Sequence, residues 1–189
     1  MMKIASGGIQ MPMRIQQIRQ LRIGLIALIT LAELLVLAWE YTHGGVKSHH
    51  LLNRPDLPAI SNWWGALLLP ILAWFLSGSI LRRAGVDKAR KIPVGIVAGF
   101  GGALFYGLLL ALAFIQHYEA ISTYLFLGMF LAAALLPVYR AEYLLGFVLG
   151  MTFTFGAVLP TIVGSLVAAV SAILHFLVRQ VIRLIRRQS

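Results

Sequence analysis

The residues best suited to chemistry lie in a polar segment between the first two apolar runs of the chain. Three of the five histidines and two of the six acidic residues fall there, namely Glu40, His43, His49, His50 and Asp56. Neutral imidazole and carboxylate groups bind zinc, iron and copper, and a catalytic zinc uses three such ligands and keeps one position open. The segment therefore predicts a site for a divalent transition metal. Because the chain has no cysteine, thiolate ligands and disulfide bonds are excluded.

A second polar turn, Gln116 to Glu119, is predicted to join this segment at the same surface. The predicted metal ligands are His43, His49, His50 and His117. The predicted general bases or further ligands are Glu40, Asp56 and Glu119. A metal held in this way would polarise a substrate or activate a water molecule, and a nearby carboxylate would accept the proton.

The same residues also have a simpler interpretation. In a chain this apolar, polar side chains collect in outer loops because water solvates them there. The composition of the loop 41–61 favours a functional site over that interpretation. Gly44-Gly45, Pro55 and Pro58 constrain the backbone, and Trp63-Trp64 is typical of a segment end at the lipid headgroups. Long loops in compact domains are usually functional.

Glu33 carries a separate signal, because it lies inside the first apolar run. An ionised carboxylate near the middle of a bilayer costs on the order of 3 kcal/mol on insertion scales, so Glu33 should face the interior of a bundle. Glu40 follows two helical turns later on the same helical face, and the two residues predict a polar track towards mid-membrane. The alternative is a protonated Glu33 hydrogen-bonded to a neighbouring helix, for example at Ser77, Tyr106 or Thr152.

Composition indicates that a membrane surrounds these residues. The chain has 60% hydrophobic and 12% charged residues, against about 25% charged in average soluble domains. A hydrocarbon core about 30 Å thick requires roughly 20 apolar residues per helix. The predicted spans are 23–39, 63–81, 93–115, 121–138, 143–159 and 160–178. The predicted fold is an all-α integral membrane protein, a bundle of about six transmembrane helices in which the last two form a tight hairpin separated at Pro160.

The basic residues orient this bundle. If the amino terminus is cytoplasmic, all but Lys47 and Arg54 of the 16 basic residues lie on the cytoplasmic side. The positive-inside rule then predicts that both termini are cytoplasmic and that the loop 41–61 faces outward, as in a bacterial inner membrane. The predicted organisation is a basic segment 1–20, a membrane domain 21–178 and a basic amphipathic tail 179–189 along the inner leaflet. Asp87 and Glu142 are expected at the surface.

Small residues predict how the helices pack. Glycine and alanine repeat every four positions in the third run, at Gly95, Gly99, Ala103, Gly107 and Ala111, and Gly146 and Gly150 do so in the fifth. Such stripes let two helix backbones approach closely in a membrane.

Three functions fit these patterns. The first is metal-dependent chemistry on a lipid or small molecule at the outer leaflet. The alternative is a small proton- or cation-coupled transporter or channel that uses Glu33 and Glu40. The third is a non-catalytic subunit of a membrane complex. The predicted partners are the lipid bilayer, a lipid or small-molecule substrate, and a homo-oligomer or membrane complex. The net charge of +10 does not predict a nucleic-acid partner, because the basic residues cluster at the ends of apolar runs.

Overall fold

A computed structural model describes residues 13–50, 56, 58–84 and 92–188. The predicted amino-terminal segment therefore lies largely outside the described residues, as does Asp87. Six helices are present in the described part of the chain: α1 Met13–Thr42, α2 Gly65–Ala84, α3 Val94–Ile115, α4 Glu119–Leu135, α5 Ala141–Phe155 and α6 Val158–Gln188. A short 3₁₀ turn, Asn62–Trp64, precedes α2.

The helical architecture predicted from the sequence is confirmed. By length and composition, four helical segments of the described chain can cross a membrane: Gln16–Thr42, Asn62–Ala84, Val94–Ile115 and Val158–Arg187. Helices α4 and α5 are apolar but shorter. Large apolar side chains such as Leu28, Leu35 and Phe105 are more than half exposed on the outside of the bundle. This surface is compatible with an integral membrane protein, whose exterior faces lipid.

The loop 41–61 contains a small β-hairpin. Strand β1, Ser48–His50, pairs antiparallel with β2, Ala59–Ser61, so that Ser48 lies opposite Ser61. The backbone N–H of Asn62 donates to the carbonyl of Lys47 at 3.0 Å and extends this ladder by one bond. The hairpin therefore fixes Lys47 beside Asn62, directly above the start of α2.

Helices α3 and α5 pack most closely, through the predicted small residues. A Cβ atom added at Gly146 would lie 2.4 Å from the Phe100 carbonyl oxygen, and one at Gly150 would lie 2.4 Å from that of Leu104. The two backbones thus touch, as the repeat predicted. Gly95, in contrast, faces open space.

Helices α1 and α2 run antiparallel and meet through polar side chains. Near the start of α1, the Arg22 guanidinium donates to Ser77 Oγ at 2.9 Å, lies 4.3 Å from the Trp74 ring centroid and packs on Gly78. At the other end of α1, Glu40 reaches Asn62. The contact between the two helices therefore begins and ends on charged residues.

The turn between α5 and α6 falls at Gly156-Ala157, and not at Pro160 as the sequence predicted. Gly156 has φ +67°, a left-handed conformation that glycine adopts without steric cost. Pro160 lies in the first turn of α6, where a missing N–H breaks no helical hydrogen bond. The predicted hairpin of the last two helices is present with this shifted turn.

Candidate functional site

Glu40 is the centre of a buried polar network at one end of the bundle. Its side chain is 8% exposed. The carboxylate accepts two hydrogen bonds from Asn62 Nδ2, at 3.1 and 3.3 Å, and one from the backbone N–H of Lys47 at 3.1 Å. Asn62 is itself 8% exposed. The partners of Glu40 are therefore neutral donors, which bind a carboxylate without neutralising its charge.

Local backbone structure sets this network up. Two glycines with positive φ follow the end of α1, Gly44 at +116° and Gly45 at +100°. Gly45 N–H donates to the Glu40 carbonyl at 3.0 Å, the bond that closes a Schellman-type helix end. The chain turns back at once into the hairpin, which carries Lys47 to Glu40 and aligns Asn62 with it. The loop after α1 thus positions the hydrogen-bond donors of Glu40.

Glu33 lies two turns deeper on the same face of α1. It is 4% exposed. A Cβ atom added at Gly65 would lie 2.0 Å from Glu33 Oε1 and 3.6 Å from the Cβ of Ala157. The carboxylate thus occupies the space that a larger residue would fill at the amino end of α2. The positive end of a helix dipole favours a negative charge at this position.

The hydrogen-bond partners predicted for Glu33 bond elsewhere. The predicted partners donate to backbone carbonyls instead: Ser77 to Trp74, Tyr106 to Leu125 and Thr152 to Val148. Glu33 meets Gly65 on α2, and Gly65 in turn lies near Ala157 in the α5–α6 turn, so three segments meet around Gly65.

The α5–α6 turn closes the site from the side. A Cβ atom added at Gly156 would lie 2.2 Å from Asn62 Oδ1. The amide that holds Glu40 therefore needs a glycine beside it. The Glu33 side chain lies against Gly65, and the Asn62 side chain lies against Gly156. The site therefore forms only where α1, the start of α2 and the α5–α6 turn meet.

The two glutamates lack a counter-charge in the described part of the chain. Within the described ranges of the chain, no lysine or arginine forms an ion pair with Glu33 or Glu40. Two carboxylates on one helical face, about 10 Å apart along the axis by the rise of 1.5 Å per residue, need a proton or cation to be held in a membrane. The arrangement can therefore bind a proton or a cation.

The histidines do not join this network where the structure describes them. The His43 ring stacks on Trp39 at a centroid distance of 3.6 Å, and its Nδ1 lies 2.9 Å from the Trp39 carbonyl oxygen. His117 is exposed in the turn between α3 and α4, with φ +56°. The backbones of His49 and His50 form β1, whereas their side chains lie outside the described part.

The metal site predicted from the sequence finds no support. Among the described residues, no three histidine, aspartate or glutamate side chains are placed to hold a metal ion. Asp56 is exposed in the loop, and Glu119 is exposed at the first position of α4. The predicted roles of these residues and of the histidines stay predictions.

Glu142 corrects a second expectation. The sequence predicted a surface residue, but Glu142 is 1% exposed and forms an ion pair with Arg83 at the end of α2. Its Oε1 accepts a hydrogen bond from the Arg83 guanidinium. Its Oε2 is buried without a hydrogen-bond partner in the described chain. The acidic first turn of α5 resembles any exposed helix start, and burial follows from packing on Gly99 of α3, where a Cβ atom would lie 3.2 Å from Glu142 Cγ.

Sequence reasoning missed the site residues other than Glu33 and Glu40. The sequence patterns assign no function to Asn62, Gly65 or Gly156. One signal was available for Asn62, an amide at the start of an apolar run, where a buried position requires a polar partner. No local signal distinguishes the two glycines from others in the chain. In comparisons with known proteins, no family model, curated protein or solved structure matches this chain.

Proposed function

We propose that this protein is a small proton- or cation-coupled membrane transporter in which Glu33 and Glu40 bind the ion. The observation that carries the proposal is the burial of both carboxylates on one face of a helix long enough to span a membrane, with neutral donors as the partners of Glu40. Ionisable groups inside spanning helices usually mark ion pathways, because their insertion is costly.

A buried carboxylate at the opposite end of α2 supports the same function. Gly65 lies beside Glu33, and Arg83 lies beside Glu142. Along α2 these two positions are about 27 Å apart at 1.5 Å per residue. This approaches the hydrocarbon thickness of about 30 Å. Acidic groups therefore lie near both ends of the helix, and the buried Oε2 of Glu142 lacks a partner among the described residues. The end of the bundle opposite Glu40 thus offers the second carboxylate that a relay needs.

An apolar layer separates the two ends in this conformation. Leu69 of α2, Val148 of α5 and Ala157 form a buried cluster directly below Gly65, each 2% exposed or less. Beyond it, the polar contact of Arg22 with Ser77 begins. A transporter must keep its two ion stations from opening together, so a closed layer between them is what coupled transport requires.

The proposal includes the topology inferred from the basic residues. Six crossings with both termini cytoplasmic would place Glu40 at the outer surface and Glu142 near the inner one. The shorter helices α4 and α5 would then cross within the bundle. A location in a bacterial inner membrane is part of the same proposal. Reporter fusions after Lys91, Arg140 and Ser189 should all be cytoplasmic, and a fusion after Asn53 should be exterior.

Flux in reconstituted vesicles tests the proposal. Vesicles that contain the wild-type protein and an internal pH dye should conduct protons, or sodium or potassium followed with matching dyes, above protein-free vesicles. Glu33→Gln should abolish that flux, because it keeps the size and hydrogen bonding of the side chain but removes its charge. Glu119→Gln is the matched control, since Glu119 is exposed and outside the network.

Equal flux in wild type and Glu33→Gln, with both folded, would contradict the proposal. Elemental analysis of the same preparation tests metal-dependent chemistry, the other function predicted from the sequence. Stoichiometric zinc, iron or copper that is lost in His43→Ala or His49→Ala would support a catalytic metal site on the outer loop.

A further inference from the structure

We propose that the bundle holds one acyl chain of an anionic phospholipid in a cavity between α3, α4, α5 and α6. The cavity has a volume of about 460 Å³, within the range of roughly 300–1,000 Å³ that is typical of small-molecule sites. Its lining is almost entirely apolar and includes Ala98, Met129 and Phe147. This site shares no residue with the proposed ion site of Glu33 and Glu40.

The dimensions of the cavity fit a lipid chain. Along α3 its lining extends from Gly95 to Tyr106, which is about 16 Å at 1.5 Å per residue. One leaflet contributes about 15 Å to a hydrocarbon core of about 30 Å. The cavity therefore has the depth of one leaflet. Gly95 and Gly102 are exposed and line it, so that it is open to the surroundings of the bundle.

The charge at one end of the cavity selects the headgroup. The lining ends at Leu136 and Val138, in the connection between α4 and α5. Arg140 follows in the same connection and is exposed. Arg179 of α6 is also exposed and donates to Tyr139 OH at 2.9 Å. Two arginines beside this end of an apolar slot are complementary to the net negative charge of an anionic phospholipid.

The glycines of α3 make the test specific. A Cβ atom at Gly102 would meet nothing within 4 Å, and Gly102 lines the cavity. A Cβ atom at Gly101 would also meet nothing within 4 Å, but Gly101 is not part of the lining. Gly102→Leu should therefore fill the cavity without disturbing helix packing, and Gly101→Leu is its matched control.

Native mass spectrometry of the full chain in detergent tests the proposal. The probes are palmitoyl-oleoyl phosphatidylglycerol and the phosphatidylethanolamine with the same chains. Wild type and Gly101→Leu should retain one phosphatidylglycerol, and Gly102→Leu should lose it. Arg140→Ala and Arg179→Ala should each weaken phosphatidylglycerol binding about fivefold, which corresponds to about 1 kcal/mol per basic residue at an anionic lipid surface. Each substitution should weaken binding of phosphatidylethanolamine less, because that lipid is zwitterionic and its headgroup has no net charge.

Equal lipid retention in Gly102→Leu and Gly101→Leu would overturn the site. Equal affinity for the two lipids in wild type would overturn the anionic headgroup. Circular dichroism and a monodisperse elution profile must match wild type for each variant. If Gly102→Leu does not fold, Gly95→Leu replaces it, because Gly95 also lines the cavity and faces open space. Ion flux should be unchanged in Gly102→Leu, so this result is independent of the proposed transport.

Discussion

Two helix contacts in this protein use glycine in opposite ways. Between α3 and α5, glycine brings backbone against backbone, as at Gly146 and Gly150. Between α1 and α2, glycine makes room for a charged side chain, with Glu33 on Gly65 and Arg22 on Gly78. The first contact is fixed by the main chain. The second depends on side chains that can move, protonate or exchange partners.

This difference separates the packing of the bundle from its chemistry. A stripe of small residues in α3 and α5 stabilises the bundle through close packing, which is the main source of helix association in lipid. The charged contacts of α1 cost insertion free energy and are retained beside a rigid pair of helices. The α3–α5 pair is thus the frame of the bundle, and the proposed ion site lies on α1 and the start of α2.

The largest effect is expected where the two regions are joined, at Arg83 of α2 and Glu142 of α5. Arg83→Ala would leave Glu142 buried and unpaired, a change that typically costs about 3–5 kcal/mol. The Arg83 side chain is 38% exposed, so we expect a destabilisation near the lower end of that range. Denaturant unfolding in detergent, followed by circular dichroism, measures it.

Two variants control this prediction. Arg82→Ala changes an exposed neighbour and should have little effect. Glu142→Gln in the Arg83→Ala background should recover much of the lost stability, because it removes the uncompensated charge. Full stability of Arg83→Ala alone would mean that the ion pair does not join the two regions.

A smaller loss is expected from Gly146→Ala, which tests the frame. Its new methyl group would lie 2.4 Å from the Phe100 carbonyl oxygen, so the two helices must separate. Overpacking costs about 1–3 kcal/mol, and alanine returns at most about 1 kcal/mol of helix propensity. Gly101→Ala, which meets nothing within 4 Å, should be neutral or stabilising. Equal melting temperatures for Gly146→Ala and Gly101→Ala would mean that the close backbone contact at Gly146 does not stabilise the bundle.

The smallest change in stability is expected from Gly65→Ala, on the functional side. The new methyl group would lie 2.0 Å from Glu33 Oε1, the far end of a flexible side chain that can swing away. The fold should survive while ion flux falls as it does in Glu33→Gln. Normal flux with normal stability would show that the position of the Glu33 carboxylate is unimportant.

Much of the fold was predictable, because apolar runs report helices directly. The predicted spans 93–115 and 121–138 correspond to the observed helices Val94–Ile115 and Glu119–Leu135. The ends of α1 and α6 were not predictable from hydropathy, since both helices continue into basic segments, to Met13 and to Gln188. Polar residues propagate a helix once its apolar part is formed, and hydropathy does not record this.

The site was predictable only in part. Burial of Glu33 and a shared face with Glu40 follow from helical periodicity and insertion cost. The role of Asn62 depends on the β-hairpin and on Gly156, which lies far along the chain, and the burial of Glu142 depends on Gly99 of α3. Contacts between distant segments leave no local pattern. For that reason the sequence indicates the histidines more strongly than the Asn62 amide.

Infrared difference spectroscopy of Glu33 tests the central claim most directly. The claim is that this buried carboxylate gains and loses a proton or cation in the folded protein. Wild-type protein in lipid should show a carboxyl carbonyl band that changes when pH or the concentration of sodium or potassium changes. This band should be absent in Glu33→Gln and retained in Glu119→Gln. A spectrum in which wild type and Glu33→Gln respond identically would contradict the account.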